Sequence, residues 1–548
     1  MKFSNSLIPL VLVAGSVNTF PSLTGAQSID HAPFADELTQ ELYTAVGENE
    51  CTSSLGVSMA MSLVYPSAIS DSEMQMRTVL GYPDDTTNSQ STLLWNAMAT
   101  SLTNRYQGRC YNEFDGECSG NEPALELANS VFLHDEFTLN ATYEAVVGDF
   151  VQTLDFSSDD AGGQVNAWVN ESTNGLIDSI VNEGPLSPWF MVAINSIYLK
   201  ASWMHQFEED YTNADLFYVT PEAESTAHFM NQVESFQYSH EALPGYQVLQ
   251  HSFVGGEDSS GLSMIFVLPF PEFAGDMTSS VDVLAAIPML ERTRVAFALP
   301  KFKFESEYKD DLKAALLALG MTAPFEERPD NMCIVEGRCD AFIDAIIQKT
   351  FIDVNEKGVE AAAVTALGLS LTSLPPPQAV LFLANRPFQF FLYDEVENLV
   401  IFEGQVGEPG VASDSVATLE GNHADPDFWQ TNFGIEAVMP EAPATVVPET
   451  IDPEQGTEDP ESDMSTTSPE VEDLESDVTE DMESDAVTTS PETDEESDAE
   501  SDQNTEDAES DSESSVTESD QVSSAINLSI GFMARVAGIA LLVVNYLW

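Results

Sequence analysis

The sequence predicts an α+β fold with large sheets, carried by residues from about His31 to Pro409. Two patterns predict it. Segments with helical apolar spacing and short β-rich runs follow one another without the regular strand–helix–strand rhythm of a parallel α/β domain. The apolar share of the 548 residues, 43%, is ample for a large core.

Each element has a local reason. SSLGVSMAMSLVYPSAI (Ser53–Ile69) and VNAWVNESTNGLIDSIV (Val165–Val181) repeat apolar residues at helical intervals. NSIYLKASW (Asn195–Trp203), LSMIFVLP (Leu262–Pro269) and RVAFALPKFKF (Arg294–Phe304) are strands, rich in β-branched and aromatic residues and bounded by Gly, Pro or polar clusters. DDLKAALLALG reads as a helix stopped by Gly320. Near the end of the domain, VNEKGVEAAAVTALGLSLTSLPPP (Val354–Pro377) precedes the strand-forming LFLANRPFQFFLYD. It starts charged, passes through alanines and ends on three prolines. VEAAAVTAL has high helix propensity, but a free helix of that length is marginal in water.

Composition and motifs exclude several functions. There are 93 acidic residues against 17 Lys and Arg, for a net charge of −76, and no Lys or Arg between Pro387 and Ala534. Nucleic-acid binding needs clustered basic residues, so it is excluded, and heparin-like polyanions are disfavoured for the same reason. GVSMA (Gly56–Ala60) lacks the last glycine of a nucleophile elbow and lies in a helical pattern. HExxH, GxxxxGK[ST] and GxGxxG are absent, and the seven His are scattered. No enzyme, cofactor or metal site is expected.

The chain divides into a signal peptide (1–26), a globular domain (27–410), an acidic stalk (411–522) and a hydrophobic C-terminal segment (523–548). Lys2, the apolar LIPLVLVAG and the small residues Thr24-Gly25-Ala26 form the signal and direct the protein to secretion. From about Gly410 to Gln521 the chain changes character, Glu, Asp, Ser, Thr and Pro dominate after about Pro440, and TTSPE occurs twice. Low hydrophobicity and dense like charge predict disorder extended by self-repulsion. The last segment fits a lipid-anchor addition signal or a transmembrane span; Arg535 and the short apolar run favour the anchor. Cys110 with Cys118, and Cys333 with Cys339, are each spaced to close a short loop, leaving Cys51 odd. Asn140 (NAT) and Asn170 (NES) are glycan acceptors by sequence.

NEKGVEAAAVTA resembles the hinge of a serpin, and LANRPFQFFLYDEVENLVIFEGQVGEP resembles the serpin C-terminal strands. LANSVFLHDEFTLNATY, VNAWVNESTNG, NSIYLKASWMHQFEEDYT, LSMIFVLP, VAFALPKFKFESEYKDDLKAALLALGM and IIQKTFIDVNEKG fall in the family's order over about 31–410. The resemblance implies three β-sheets with surrounding helices and an exposed reactive-centre loop. A target protease would cleave this loop and form an acyl-enzyme, and the loop would then insert as a new strand in the main sheet.

The hinge would be Glu356, Gly358, Val359, Glu360, Ala361, Ala362, Ala363, Val364 and Thr365. Alternation would turn Val359, Ala361, Ala363 and Thr365 inward, where small side chains pass, and leave Glu360 on the opposite face. Family spacing puts the scissile bond at Thr372-Ser373, within about two residues. Leu369, Leu371 and Leu374 flank it, with no Lys or Arg between Lys357 and Arg386. That disfavours a trypsin-like target and favours elastase-, chymotrypsin- or subtilisin-like serine proteases, or a papain-like cysteine protease. Lys301 would pair with Glu356, Trp203 would pack beneath the hinge, and Gln348 would face Asn195 in the sheet-opening region. This chain departs from the family at Val359 (usually Thr or Ser), at Gln348 (usually His) and at SSLG, Ser53–Gly56 (usually SPxS). The expected function is a monomeric, secreted or surface-tethered protease inhibitor. The alternative is a non-inhibitory serpin used for adhesion, display or storage, with the stalk as its working part.

Overall fold

The computed structural model describes residues 31–43, 48–84, 87–106, 124–254, 261–271, 277–359, 377–410 and 421–442. The helices among them are α1 (Ala32–Leu42), α2 (Ser54–Val64), α3 (Ser70–Val79), α4 (Asn88–Arg105), α5 (Ala141–Val147), α6 (Ala161–Ser172), α7 (Ser280–Ala286), α8 (Asp310–Ala318) and α9 (Pro426–Phe433). The early strands are β1 (Glu50–Thr52), β2 (Ala124–His134), β3 (Val151–Leu154), β4 (Met191–Ser202), β5 (Asn213–Thr220), β6 (Ala223–Ser239), β7 (Tyr246–Ser252) and β8 (Leu262–Pro269). They are followed by β9 (Glu291–Pro300), β10 (Phe302–Tyr308), β11 (Ala345–Asn355), β12 (Gly358–Val359), β13 (Gln378–Leu383), β14 (Phe388–Asp394), β15 (Leu399–Val406) and β16 (Glu436–Val438).

One sheet has six strands in the order β10-β11-β12-β4-β2-β3. Ten strands form the other network, β1-β15-β14-β8-β7-β6-β9-β13-β16, with β5 also paired to β6. Strand β6, 17 residues long, joins its two sections: Ala223–Phe229 pair with β5, Phe229–Tyr238 with β9, and Gln237–Ser239 with β7. The expected three sheets are therefore present, two of them merged through this shared strand.

Helix α2 is buried along its whole length behind the six-stranded sheet. Ser53 caps it, its hydroxyl accepting from Gly56 N. Its apolar residues join α1, α4 and the facing strands in one core with Phe266, Phe297 and Phe390. The opposite face of β4, through Val192 and Ile194, packs with α6 in a second core.

The structure corrects two sequence expectations. The helix predicted through Val181 stops at Ser172. Asn174 and Gly175 take positive φ (52° and 84°), which ends a helix, and the Asn166 side chain accepts from Ile180 N and Val181 N in place of helical carbonyls. The acidic stalk expected from residue 411 does not hold for 421–442. There α9 starts at the Asp425 cap and Pro426, ends at Gly434 (φ 65°), and leads into β16. Phe428, Trp429 and Ile435 are buried in the main core, apolar anchors that the acidic composition around them concealed. The signal segment, Cys110, Cys118 and the C-terminal hydrophobic run lie outside the described residues.

Candidate functional site: the seam between β4 and β11

Strands β4 and β11 are parallel and directly paired from Val192↔Ala345 to Ile197↔Thr350. Above that level they separate, and β12 lies between them, antiparallel to both. Val359 is opposite Val354 and Ala201, and Gly358 is opposite Asn355 and Ser202. The chain rises along β11, turns at Glu356-Lys357 and starts back down the gap. The six-stranded sheet is thus closed below and split by two residues at its top.

The turn dictates its residues. Gly358 has φ 152°, and a Cβ there would collide with the Ala201 carbonyl oxygen, so only glycine fits. Asn355 Oδ1 accepts from Lys357 N (3.1 Å). Trp203, fully buried and stacked on Phe253 at 4.5 Å, donates from Nε1 to Asn355 O (3.0 Å) and from its backbone N to Lys357 O (2.8 Å). It is both a core residue and a support of the Glu356-Lys357 turn. Val359 is 2% exposed and belongs to the main core.

Glu356 is 6% exposed, with Lys301 Nζ at 3.0 Å and the Thr212 hydroxyl donating at 2.8 Å. Burial pushes its carboxyl up, but the Lys301 ammonium and the Thr212 hydroxyl outweigh that and hold it below the usual glutamate range. Its carbonyl accepts from Phe207 N at 2.8 Å. Thr212 and Phe207 carried no sequence signal. Their part depends on the path of the chain between β4 and β5, which periodicity does not report.

Lower in the closed part, Gln348 and Asn195 are register partners. Gln348 Nε2 donates to Asn195 Oδ1 (2.8 Å) and Ser53 O (2.8 Å). Its Oε1 accepts from Thr52 Oγ1 (2.8 Å) and Ser53 N (2.9 Å), so the amide is fully satisfied without exposure. Asn195 in turn donates to Asn129 Oδ1 (2.9 Å), and a Cβ on Gly56 would collide with the Asn195 side chain. The SSLG departure thus meets the Gln348 departure in one network, and no member of it titrates near neutrality.

The remaining sequence candidates lie elsewhere. Glu360, Ala361, Ala362, Ala363, Val364, Thr365, Thr372 and Ser373 fall outside the described residues. Cys333 and Cys339 are joined as a disulfide, and Cys51 is a buried free thiol whose pKa burial pushes up to about 12. Asn140 caps α5, accepting from Thr142 N, and Asn170 donates to Asp178 Oδ1.

The serpin (serine protease inhibitor) family model matches residues 30–409. The chain is a serpin. Among similar relatives, Serpin-Z1C of Triticum aestivum is 32% identical over 54% of this chain and 77% of its own length. The leukocyte elastase inhibitor of Xenopus tropicalis is 28% identical over 67% of this chain and 97% of its own. Among solved structures, human thyroxine-binding globulin complexed with thyroxine superposes with a TM-score of 0.58 at 22% identity, covering 69% of this chain and 97% of that one. This last likeness concerns the fold alone. The serpin match ends at Pro409, so α9 and β16 lie beyond it.

Proposed function

We propose that the protein is a suicide-substrate inhibitor of serine proteases. The observation that carries this reading is β12, two residues already seated as a strand where the sheet is split. Extending its register residue by residue puts Ala361 between Leu199 and Ile352, Ala363 between Ile197 and Thr350, and Thr365 between Asn195 and Gln348. Val359 faces the main core, and alternation turns these three the same way. Small side chains suit that crowded face. Glu360 would lie between Lys200 and Asp353 on the other face, neither of them fully buried.

Insertion has to break the Gln348–Asn195 hydrogen bond. The Thr365 hydroxyl arrives at that level and can both donate and accept, so the network can be re-formed around it. Nine inserting residues, Glu360–Gly368, each adding a ladder hydrogen bond worth roughly 1 kcal/mol net, would stabilise the sheet by on the order of 10 kcal/mol. Cleavage near Thr372-Ser373 frees the strand to enter, and a protease still held as the acyl-enzyme is carried with it.

The uncharged, leucine-flanked bond fits elastase-, chymotrypsin- or subtilisin-like pockets, and a cysteine protease is the secondary target class. The reading includes secretion through residues 1–26 and attachment through 523–548, which mass spectrometry of the mature termini tests. The inhibitory reading is tested by mixing the protein with such proteases. An SDS-stable 1:1 complex is expected; cleavage with neither a complex nor a gain in thermal stability refutes it.

A further inference from the structure

The segment 421–442 lies against the elements that anchor both ends of the loop. On the C-terminal side, β16 pairs in parallel with β13, the strand that follows the loop. Among the described residues, Gln378 and Ala379 pair with β16 and not with β9, which pairs with Val380–Leu383. Glu436 N donates to Pro377 O (3.3 Å), and Gln378 Nε2 donates to Glu436 Oε2 (3.2 Å). The loop-proximal end of β13 is therefore held by the extension.

The extension is itself well anchored. His423 is fully buried, its ring against Phe229 (4.9 Å) and Phe428 (4.7 Å), with Nδ1 2.7 Å from Asp215 Oδ2. Trp429 Nε1 donates to His423 O (2.9 Å), and Asn213 Nδ2 donates to Gly421 O (3.2 Å). On the hinge side, Phe433 packs on Tyr211 at 4.9 Å, beside the Thr212 that holds Glu356.

Chain length gives these contacts a consequence. Continued one for one from Gly358↔Ser202 and Val359↔Ala201, the strand reaches Val192 at Gly368. That slot is ten residue steps of β4, about 33 Å. From Gly368 back to Gln378 there are again ten steps, about 33–36 Å fully extended. Full entry of an uncut loop would need residues 368–378 at nearly full extension, so any offset of Gln378 from the mouth of the slot would pull on β13. A cut loop has no such tie.

We propose that residues 421–438 form a clasp that locks the loop-proximal end of β13 and so confines insertion to the cleaved chain. This rests on the insertion reading above. The test uses full-length protein and two full-length variants. Phe428→Ala/Trp429→Ala removes the clasp's buried anchors. Glu436→Pro removes the N–H that Pro377 O accepts and leaves the core intact, so it decides if the first variant misfolds.

Each protein is incubated uncleaved at 37 °C. Conversion to an intact but heat-resistant, non-inhibitory form is followed, together with amide exchange at Ala379. Conversion at least tenfold faster and quicker exchange in the variants are expected. Wild-type rates in the folded variants overturn the clasp. Wild-type protein that gains no heat resistance on loop cleavage overturns the insertion reading instead, and the clasp with it.

Discussion

Replacing Val359 by Arg probes the seam where it is already split. The side chain at 359 is 2% exposed and faces Val354 and Ala201 within the main core. Among the described hinge residues the carboxylate is that of Glu356, which Lys301 and Thr212 engage. A guanidinium at this site would be buried without a partner, at a cost of about 3–5 kcal/mol. If the substitution unseats β12, its re-entry becomes the first step of insertion, and that step slows by roughly 10²–10³·⁵ at 1.4 kcal/mol per tenfold. Hydrolysis of the acyl-enzyme then outruns insertion. Titration of an elastase- or chymotrypsin-like protease, read by residual activity and SDS gels, should show Val359→Arg consumed as a substrate with no stable complex. Val359→Thr keeps a β-branched side chain of similar volume and should inhibit within a few-fold of wild type. Stoichiometric complexes with Val359→Arg would refute the reasoning.

Three further outcomes are expected. Lys301→Ala strands the buried Glu356 carboxylate; allowing for the partial exposure of Lys301, the urea midpoint should fall by the equivalent of about 1–3 kcal/mol, and adding Glu356→Gln should recover most of it. Gln348→Ala removes four hydrogen bonds from a fully buried network and should lower stability by about 2–4 kcal/mol in the same assay, with no step between pH 6 and 8 because its partners do not titrate there. Burial pushes Glu403 up to about 8, only partly offset by the Thr39 hydroxyl. The unfolded chain loses this proton near 4.5 and the folded one near 8, so stability from this group is full below 4.5 and drains away up to pH 8. Glu403→Gln should therefore gain about 2–4 kcal/mol relative to wild type between pH 5 and pH 9, by urea unfolding at each pH.

Much of the fold was legible because its signals are local. Gly320 stops α8 at φ 100°, and the run RVAFALPKFKF breaks at Pro300-Lys301 into β9 and β10. Gly358 and Val359 were singled out through the resemblance of NEKGVEAAAVTA to a serpin hinge, and the close approach of the Ala201 carbonyl gives the physical reason for glycine at 358. Thr212 and Phe207 were not, since they reach Glu356 through the path between β4 and β5. Apolar spacing continues past the end of α6, which the positive φ of Asn174 and Gly175 sets. The clasp was missed because overall acidity was extended over a segment with its own signals. These are Asp425-Pro426 at the start of α9, Gly434 at its end, and Phe428, Trp429 and Ile435 along it.

The central claim is that the sheet split by Gly358 and Val359 accepts the rest of the loop once it is cut. Thermal unfolding before and after a single cleavage between Thr365 and Pro375 measures this directly. With on the order of 10 kcal/mol gained, the midpoint should rise by at least about 10 °C, with the intact hinge fragment retained in the folded protein. A cleaved protein that melts at or below the temperature of the uncut one would contradict the account.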